Sequence, residues 1–218
     1  PGAPWVYYIT DTLRDLFKTL PKLGEIAQPR VGLQTADNFR FLRLWWEVGR
    51  DRVARDVSDR QAAQQSQARW FPYMKGGNFQ RWWGNQEYAV NWYIDGQEIR
   101  DLGIESGKGA SRPQNPDYYF RRGVTWTDLT SGRFSARLSP GGFIFDVKGS
   151  SAFPENIPFV LGVLNSSIAH YMLTLLNPTV SFQVGDLARL PIPTQASDAL
   201  HALCLLYTSD AADDLTRV

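Results

Sequence analysis

The segment that most restricts the fold is residues 157–176, which are apolar on nearly every side. Large apolar side chains recur there without a continuous polar face, and Asn177 and Pro178 end the run. A helix of this pattern has no side that favours water, so other elements must cover it. The sequence therefore predicts a buried helix near 157–176 and a fold large enough to enclose it.

Short β-type runs precede that helix. They cover residues 123–129, 133–138 and 142–147, and turns containing Gly132 and Pro140 separate them. Short runs joined by such turns favour a small antiparallel or mixed sheet. The chain has 218 residues, of which 43% are apolar, so it can enclose a real core. The expected fold class is α+β, a small antiparallel or mixed sheet with packed helices.

Positive charge is concentrated in the middle of the chain. Residues 30–148 contain 18 Lys or Arg against 13 Asp or Glu, together with seven of the eight Trp. Period-two alternation places Arg133, Ser135 and Arg137 on one face of a strand, so the sheet is expected to have one polar, basic face. This excess permits a polyanionic partner without establishing one.

Two flanking segments have simpler patterns. Apolar residues at three- and four-residue spacing predict an amphipathic helix over residues 5–20, which Pro21 ends. Residues 49–68 are rich in Arg, Asp, Gln and Ala. That composition predicts an exposed helix or a mobile insertion, in which Arg and Asp pair at helical spacing.

Both ends indicate a fragment of a larger protein. The chain begins with Pro1 in place of Met. Residues 204–218 resemble the translation of a sequencing adapter, a contaminant of assembled metagenomic reads. We therefore expect an artefact at 204–218 and a natural chain that continues beyond residue 203.

Residues 70–100 carry the mixture of side chains most suggestive of binding. They contain four Trp, three Tyr and two Phe among lysine, arginine, asparagine and glycine. Flat rings, cations and side-chain amides hold bases and phosphates, although they also occur in sugar sites and β-rich cores. We expect residues 88–94 to form a core strand and residues 75–85 to form a glycine-turned loop facing the ligand.

A second group of polar residues lies at a turn near residue 32. Gln34, Thr35, Asn38 and Arg40 gather there, ahead of a short helix that begins near Thr35 or Asp37. They either bind a ligand or only cap and solvate the loop.

Several kinds of site are not expected. Cys204 is the only cysteine and only two histidines are present, which excludes an internal disulfide and a Cys-based zinc site. No apolar run reaches the roughly 20 residues needed to span a bilayer, which favours a cytoplasmic protein. No glycine-rich nucleotide motif and no supported Ser-His-acid set occurs. No pair of acidic residues lies in an apolar context that would tune a general acid, and His170 is expected to pack in its helix.

The segment Asn115-Pro-Asp-Tyr118 comes closest to a catalytic motif. It resembles the Asn-Pro-Pro-Tyr signature of amino-methyltransferases, but Asp117 stands at the third position and a loop precedes it. We therefore expect no catalytic residue, cofactor site or metal site in this chain.

Taken together, several blocks of residues 1–193 resemble a known family. It is the C-terminal, target-recognition part of the large adenine-specific DNA methyltransferases of BREX and phage-growth-limitation systems, relatives of type IIG restriction-modification enzymes. The order and spacing of the blocks make the resemblance specific. They are residues 29–41, the Tyr73-Met-Lys-Gly-Gly-Asn run through residue 85, residues 91–96, 123–127, 164–167 and 177–193.

The resemblance implies a division of labour. In that family an upstream Rossmann-like domain binds S-adenosylmethionine and methylates adenine N6, whereas the region similar to this chain recognises the DNA target. On that basis residues 1–21 are the last helix of the upstream domain, residues 22–193 are the target-recognition domain with a polar insertion at 49–68, and residues 194–218 are a tail. The implied partners are double-stranded DNA, the upstream domain and other defence subunits.

Candidate DNA contacts follow from that hypothesis. Cationic side chains suit phosphates, which position the protein; these are Arg30, Lys75, Arg81, Arg121, Arg122, Arg137 and Lys148. Amides suit base edges; these are Gln34, Asn38, Asn78 and Asn85, with Thr35 beside them. Trp82 and Trp83 either belong to the core or stack at the distorted site. Two alternatives stay open, a carbohydrate-binding module and a structural domain that docks partner subunits.

Overall fold

The computed structural model describes residues 10–105, 111–130 and 132–193. The beginning of the helix expected at 5–20 and the whole tail at 194–218, including the adapter-like part, lie outside the described residues. In chain order the elements are α1 (Asp11–Thr19), α2 (Leu23–Ile26), α3 (Asn38–Phe41), β1 (Leu42–Leu44), α4 (Trp45–Val48), α5 (Arg60–Gln65), β2 (Trp70–Met74), β3 (Tyr88–Asn91), α6 (Tyr93–Glu105), β4 (Gly123–Trp126), β5 (Ala136–Ser139), β6 (Ile144–Phe145), β7 (Ser151–Ala152), α7 (Ile157–Leu164), α8 (Ser167–Leu176) and α9 (Val184–Ala188).

One sheet contains four strands in the order β1-β3-β2-β6. Its neighbours are antiparallel except β2 and β6, which run parallel with Tyr73 opposite Ile144. Aromatic side chains dominate its core, where Phe71 meets Phe120 and Trp92 meets Tyr119 edge to face. Helices α5 and α6 contribute buried residues to the same core.

The second sheet contains three antiparallel strands in the order β5-β4-β7. Residues from α1, α2, α7, α8 and α9 form a second core with it, and Trp126, Leu161 and Leu190 are fully buried there. Trp126 also donates its indole N–H to the carbonyl of Phe182, at 2.9 Å. Helices packed on two small sheets confirm the α+β class.

The apolar run at 157–176 forms two helices, so the expected single helix is wrong in its continuity. Asn165 ends α7, and its amide bonds the backbone of Ala136 twice, each at 2.9 Å. Ser166 then caps α8 by accepting a hydrogen bond from the Ala169 N–H. Side-chain amides and hydroxyls compete with helical hydrogen bonds in this way. Helix α7 is largely buried, whereas Ile168 and Tyr171 of α8 are exposed.

No single helix within the described ranges is both long and apolar enough to cross a bilayer. Helices α7 and α8 reach that length and apolarity only as a pair, and they are bent by 68° where they meet.

The three β-type runs at 123–147 do not share one sheet, which corrects the expected topology. The first two pair as β4 and β5, but the third leaves them and pairs with β2 in the other sheet as β6. Strand β7 pairs with β4 on the side opposite β5. The alternation of residues indicates a strand without indicating which strand it pairs with.

Two further boundaries differ from expectation. The strand expected at 88–94 ends at Asn91, because Ile94, Asp95 and Gly96 take left-handed backbone conformations. Residues 49–68 form a 3₁₀ turn followed by α5. There Arg60 pairs with Asp95 and Asp117, which lie far along the chain, so the expected local Arg–Asp pairing does not describe it.

Candidate nucleic-acid interface

Two clefts share Lys75 in their lining. Their volumes are about 400 Å³ and about 160 Å³. The larger is lined by Leu44, Lys75, Gly76, Gly77, Asn78, Asn85, Glu87 and Tyr88. The smaller is lined by Gln34, Thr35, Ala36, Asn38, Lys75, Asp146, Val147 and Lys148. We call the two clefts together the Lys75 groove; it gathers seven candidate contacts, Gln34, Thr35, Asn38, Lys75, Asn78, Asn85 and Lys148.

The wall of the larger cleft is the loop that follows β2. Gly76 has φ +80°, and a Cβ there would lie 2.7 Å from the Lys148 carbonyl oxygen, so this turn requires glycine. Gly77 uses both its N–H and its carbonyl to bond the Thr127 hydroxyl, each at 3.1 Å. Asn85 donates to the Asn78 carbonyl at 2.9 Å. The loop is therefore held in one conformation, and Asn85, which is buried, serves as one of its fastenings.

A buried carboxylate lies beneath Lys75. Asp146 accepts hydrogen bonds from the Tyr73 hydroxyl at 2.5 Å and from the Lys148 N–H at 2.6 Å, and its Oδ2 is 3.9 Å from Lys75 Nζ. Burial raises the pKa of Asp146, although the bonds from Tyr73 and Lys148 oppose it. Burial lowers the pKa of Lys75, and Asp146 opposes that change. Asp146 thus fixes the lysine that both clefts share.

The smaller cleft is organised by Thr35 and Asp37. The buried Thr35 hydroxyl donates to Asn38 Oδ1 at 2.6 Å, and the Asp37 carboxylate caps α3 by accepting from the Arg40 N–H at 2.9 Å. The Asn38 amide oxygen is engaged by Thr35, whereas its NH₂ group has no hydrogen-bond acceptor among the described residues and can donate to a ligand. Thr35 therefore orients the exposed Asn38. The expected helix start near Thr35 or Asp37 is confirmed.

Lys148 is held by an ion pair at the edge of the groove. Its Nζ lies 2.8 Å from Asp128 Oδ2, and Asp128 also accepts from the Ser181 hydroxyl. A phosphate at this position must compete with a carboxylate 2.8 Å away, whereas the carboxylate nearest Lys75 Nζ is 3.9 Å away, which makes Lys75 the stronger phosphate candidate.

Three candidate arginines lie outside both clefts. The guanidinium carbons of Arg30 and Arg121 lie 5.0 Å and 4.9 Å from the centroid of the Tyr118 ring. Arg122 is exposed beside Arg121. Neither cleft is lined by these residues, so the structure does not bring them into the Lys75 groove.

The remaining candidates are largely inside the protein. Of the expected basic face, Arg137 is fully buried and Ser135 nearly so. Arg133 is exposed but precedes β5, so β5 itself presents no basic face to solvent. Arg137 donates to the Gln80 carbonyl and the Thr127 hydroxyl. Trp82 and Trp83 pack, partly buried, against the second core, as the core alternative predicts. Arg81 is half-buried, with its guanidinium over the Phe79 ring.

Sequence reasoning missed Asp146 and its partner Tyr73. The signal was present, because Asp146 follows the apolar residues 143–145 and an acid in such a run is a candidate for burial. Asp146 has no acidic neighbour in the sequence, so a criterion based on pairs of acidic residues does not identify it. His170 does pack as expected: its Nδ1 accepts from the Phe134 N–H at 3.3 Å.

Comparisons with known proteins place these features in a wider context. No protein-family model matches the chain. It is 34% identical over 219 residues to the adenine-specific methyltransferase PglX of Lacticaseibacillus casei (strain Zhang), covering 98% of this chain and 18% of that protein. It is 36% identical over 198 residues to the adenine-specific methyltransferase BrxX of Escherichia coli O9:H4 (strain HS), covering 88% of this chain and 15% of that protein. The chain thus spans less than a fifth of the length of these relatives, and it is related in sequence to one region of the adenine-specific methyltransferases PglX and BrxX.

Proposed function

We propose that this chain recognises a double-stranded DNA target for an adenine-specific DNA methyltransferase of bacterial phage defence, of the BREX or restriction-modification kind. Methyl transfer from S-adenosylmethionine to adenine N6 would be carried out by another part of a longer protein. The observation that carries the proposal is the Lys75 groove, which collects cations, side-chain amides and glycine backbone from three separate segments. Both relatives are named as adenine-specific methyltransferases, which supports that class of enzyme.

The groove supports distinct roles for its residues. Lys75 provides a fixed positive charge for a phosphate, which positions DNA without specifying sequence. The exposed amide of Asn78 suits a base edge, since an amide can both donate to and accept from a base, and the NH₂ group of Asn38 can donate to one. Asn85 donates its side-chain amide to the Asn78 carbonyl and so holds the backbone at Asn78 in place. The DNA backbone outside the groove would be held by Arg30, Arg121 and Arg122.

Fluorescence anisotropy of the 218-residue chain on labelled duplexes, repeated over a range of salt concentrations, tests the proposal. Lys75→Ala should weaken binding to all sequences and reduce the slope of log K against log salt by about 0.9, the value for one phosphate contact. Asn38→Ala and Asn78→Ala should instead reduce discrimination between sequences. Lys18→Ala is the matched control, because Lys18 is exposed and already pairs with Asp15 on α1.

Two results would favour the alternatives. Salt-insensitive binding to oligosaccharides, without competition by DNA, would indicate a carbohydrate-binding module. DNA affinity that is unchanged by Lys75→Ala combined with Arg81→Ala would indicate a domain that docks partner subunits.

A further inference from the structure

Two phenylalanines stand exposed beside the Lys75 groove, one next to each cleft. Phe39 is 90% exposed, the largest value for a large apolar side chain among the described residues, and Phe79 is 51% exposed. Each follows directly after an asparagine that lines a cleft: Asn38 precedes Phe39 and Asn78 precedes Phe79. Single exposed apolar residues are common on protein surfaces, so exposure alone does not indicate that these two rings bind a ligand.

Both rings are carried by backbone that is held in place. Phe39 lies in the first turn of α3, which Asp37 caps. Phe79 lies between Asn78, whose carbonyl is bonded by Asn85, and Trp82, whose N–H donates to the Ala136 carbonyl at 3.0 Å. Exposed rings on fixed backbone are suited to stacking, because little conformational freedom remains to be lost on binding.

Each ring also carries a guanidinium. The guanidinium carbon of Arg43 lies 5.8 Å from the centroid of Phe39, and that of Arg81 lies 5.5 Å from the centroid of Phe79. Within the part of the chain that the structure describes, neither arginine forms an ion pair with a carboxylate. Each site therefore offers a flat apolar surface, a positive charge and an adjacent amide.

This combination fits a nucleobase better than an apolar protein surface. A base presents a π-face for the ring, hydrogen-bonding edges for the amide, and an attached phosphate for the cation. Other exposed apolar residues, such as Ile104 and Tyr171, do not line either cleft.

Resting on the proposed function, we infer that Phe39 and Phe79 are stacking platforms for bases displaced from the duplex. Chemistry on an adenine requires its extrusion from the helix, which leaves neighbouring or partner bases without a stacking surface. Apolar side chains of DNA-binding proteins occupy such disrupted steps. The two rings would thus hold the distorted duplex, while the amides beside them contact the exposed edges.

The inference is tested with the whole 218-residue chain and two short duplexes, one fully paired and one with a single unpaired base at its centre. The wild type should bind the second duplex more tightly. A 2-aminopurine at the unpaired position should lose fluorescence as it stacks. Phe39→Ala and Phe79→Ala should each weaken binding to this duplex on the order of tenfold, within the range for loss of one base–aromatic contact. The salt slope should not change, because no phosphate contact is removed.

Three variants make the result specific. Phe39→Trp and Phe79→Trp should retain the preference for the unpaired base, since they keep a flat ring. Tyr171→Ala, which removes an exposed ring on α8, should bind like the wild type. The inference is overturned if both alanine variants keep the wild-type preference, or if they lose affinity only through a reduced salt slope. In those two cases DNA recognition itself stands, whereas a wild type that binds neither duplex overturns the proposed function as well.

Discussion

Arg137→Met is expected to leave the free energy of unfolding unchanged or to raise it by about 1 kcal/mol. Arg137 is fully buried on β5 and forms no ion pair among the described residues, and its Nε has no hydrogen-bond partner there. Burial lowers its pKa to about 10, although the charge of Glu87 opposes this. The difference from the ordinary value of 12.5 corresponds to roughly 3 kcal/mol against the charged side chain in the folded protein.

The contacts that Arg137 does make offset most of that cost. It donates to the Gln80 carbonyl at 3.4 Å and to the Thr127 hydroxyl at 3.1 Å, and a net contribution of about 1 kcal/mol each is typical. Thr127 keeps its bonds to Gly77 after the substitution. Methionine is unbranched and flexible enough to fill most of the vacated volume. Charged groups inside proteins are often replaced by apolar ones without loss of stability.

Urea unfolding at neutral pH measures the change. Arg133→Met is the matched control, because Arg133 is exposed and its only described bond is to the Ser167 hydroxyl; its effect should stay within about 0.5 kcal/mol. A loss of more than about 1 kcal/mol in Arg137→Met would refute the reasoning, since it would mean that the buried guanidinium is well compensated. DNA affinity and its salt slope should be unchanged, because a phosphate does not reach a fully buried side chain.

Two other substitutions test the frame of the groove and of the second core. Burial raises the pKa of Asp146, so its protonated form stabilises the folded protein; this contribution is fully present below the unfolded pKa and is lost as the pH rises through the folded value. The wild type should therefore lose stability relative to Asp146→Asn as the pH rises above about 4, and parallel curves of unfolding free energy against pH would contradict this assignment. Asn165→Leu should lower the free energy of unfolding by about 1 to 3 kcal/mol, because it leaves the Ala136 N–H without a partner and removes one of the two bonds to the Ala136 carbonyl, which keeps the Trp82 N–H; thermal unfolding measures it, and a loss below about 1 kcal/mol would show that water replaces the amide.

Local patterns in the sequence were enough to predict the elements but not their partners. The apolar run at 157–176 does lie largely in the core, and Asp37 does begin a helix. The break at Asn165 was not visible, because its amide bonds a strand nearly thirty residues earlier in the chain. For the same reason the run at 142–147 indicated a strand while concealing its pairing with β2. Both errors concern contacts between residues distant in sequence.

The candidate site shows the same division. Loop residues such as Lys75 and Asn78 were identified by composition, since glycine turns carry them to the surface. Alternation along a strand predicts that Arg137 lies on one of two faces, but it does not say whether either face meets water. All four residues of β5 are buried. Because both faces of β5 are buried, Arg137 lies inside the protein and not on its surface as expected.

The pairing that the sequence concealed is the one that assembles the Lys75 groove. Because β6 lies parallel to β2, the Asp146 N–H donates to the Met74 carbonyl at 3.0 Å, and the Val147 N–H donates to the Leu33 carbonyl at 3.0 Å. These backbone bonds bring the segments that carry Asn38, Lys75 and Lys148 side by side. Since the frame depends on main-chain bonds and on buried side chains, the exposed amide of Asn78 can be replaced without disturbing it, whereas replacing Asn38 also removes the acceptor of the buried Thr35 hydroxyl. On the proposed function, the groove would separate the residues that hold DNA in place from those that distinguish one sequence from another, and substitutions at Asn78 should change specificity at little cost in stability.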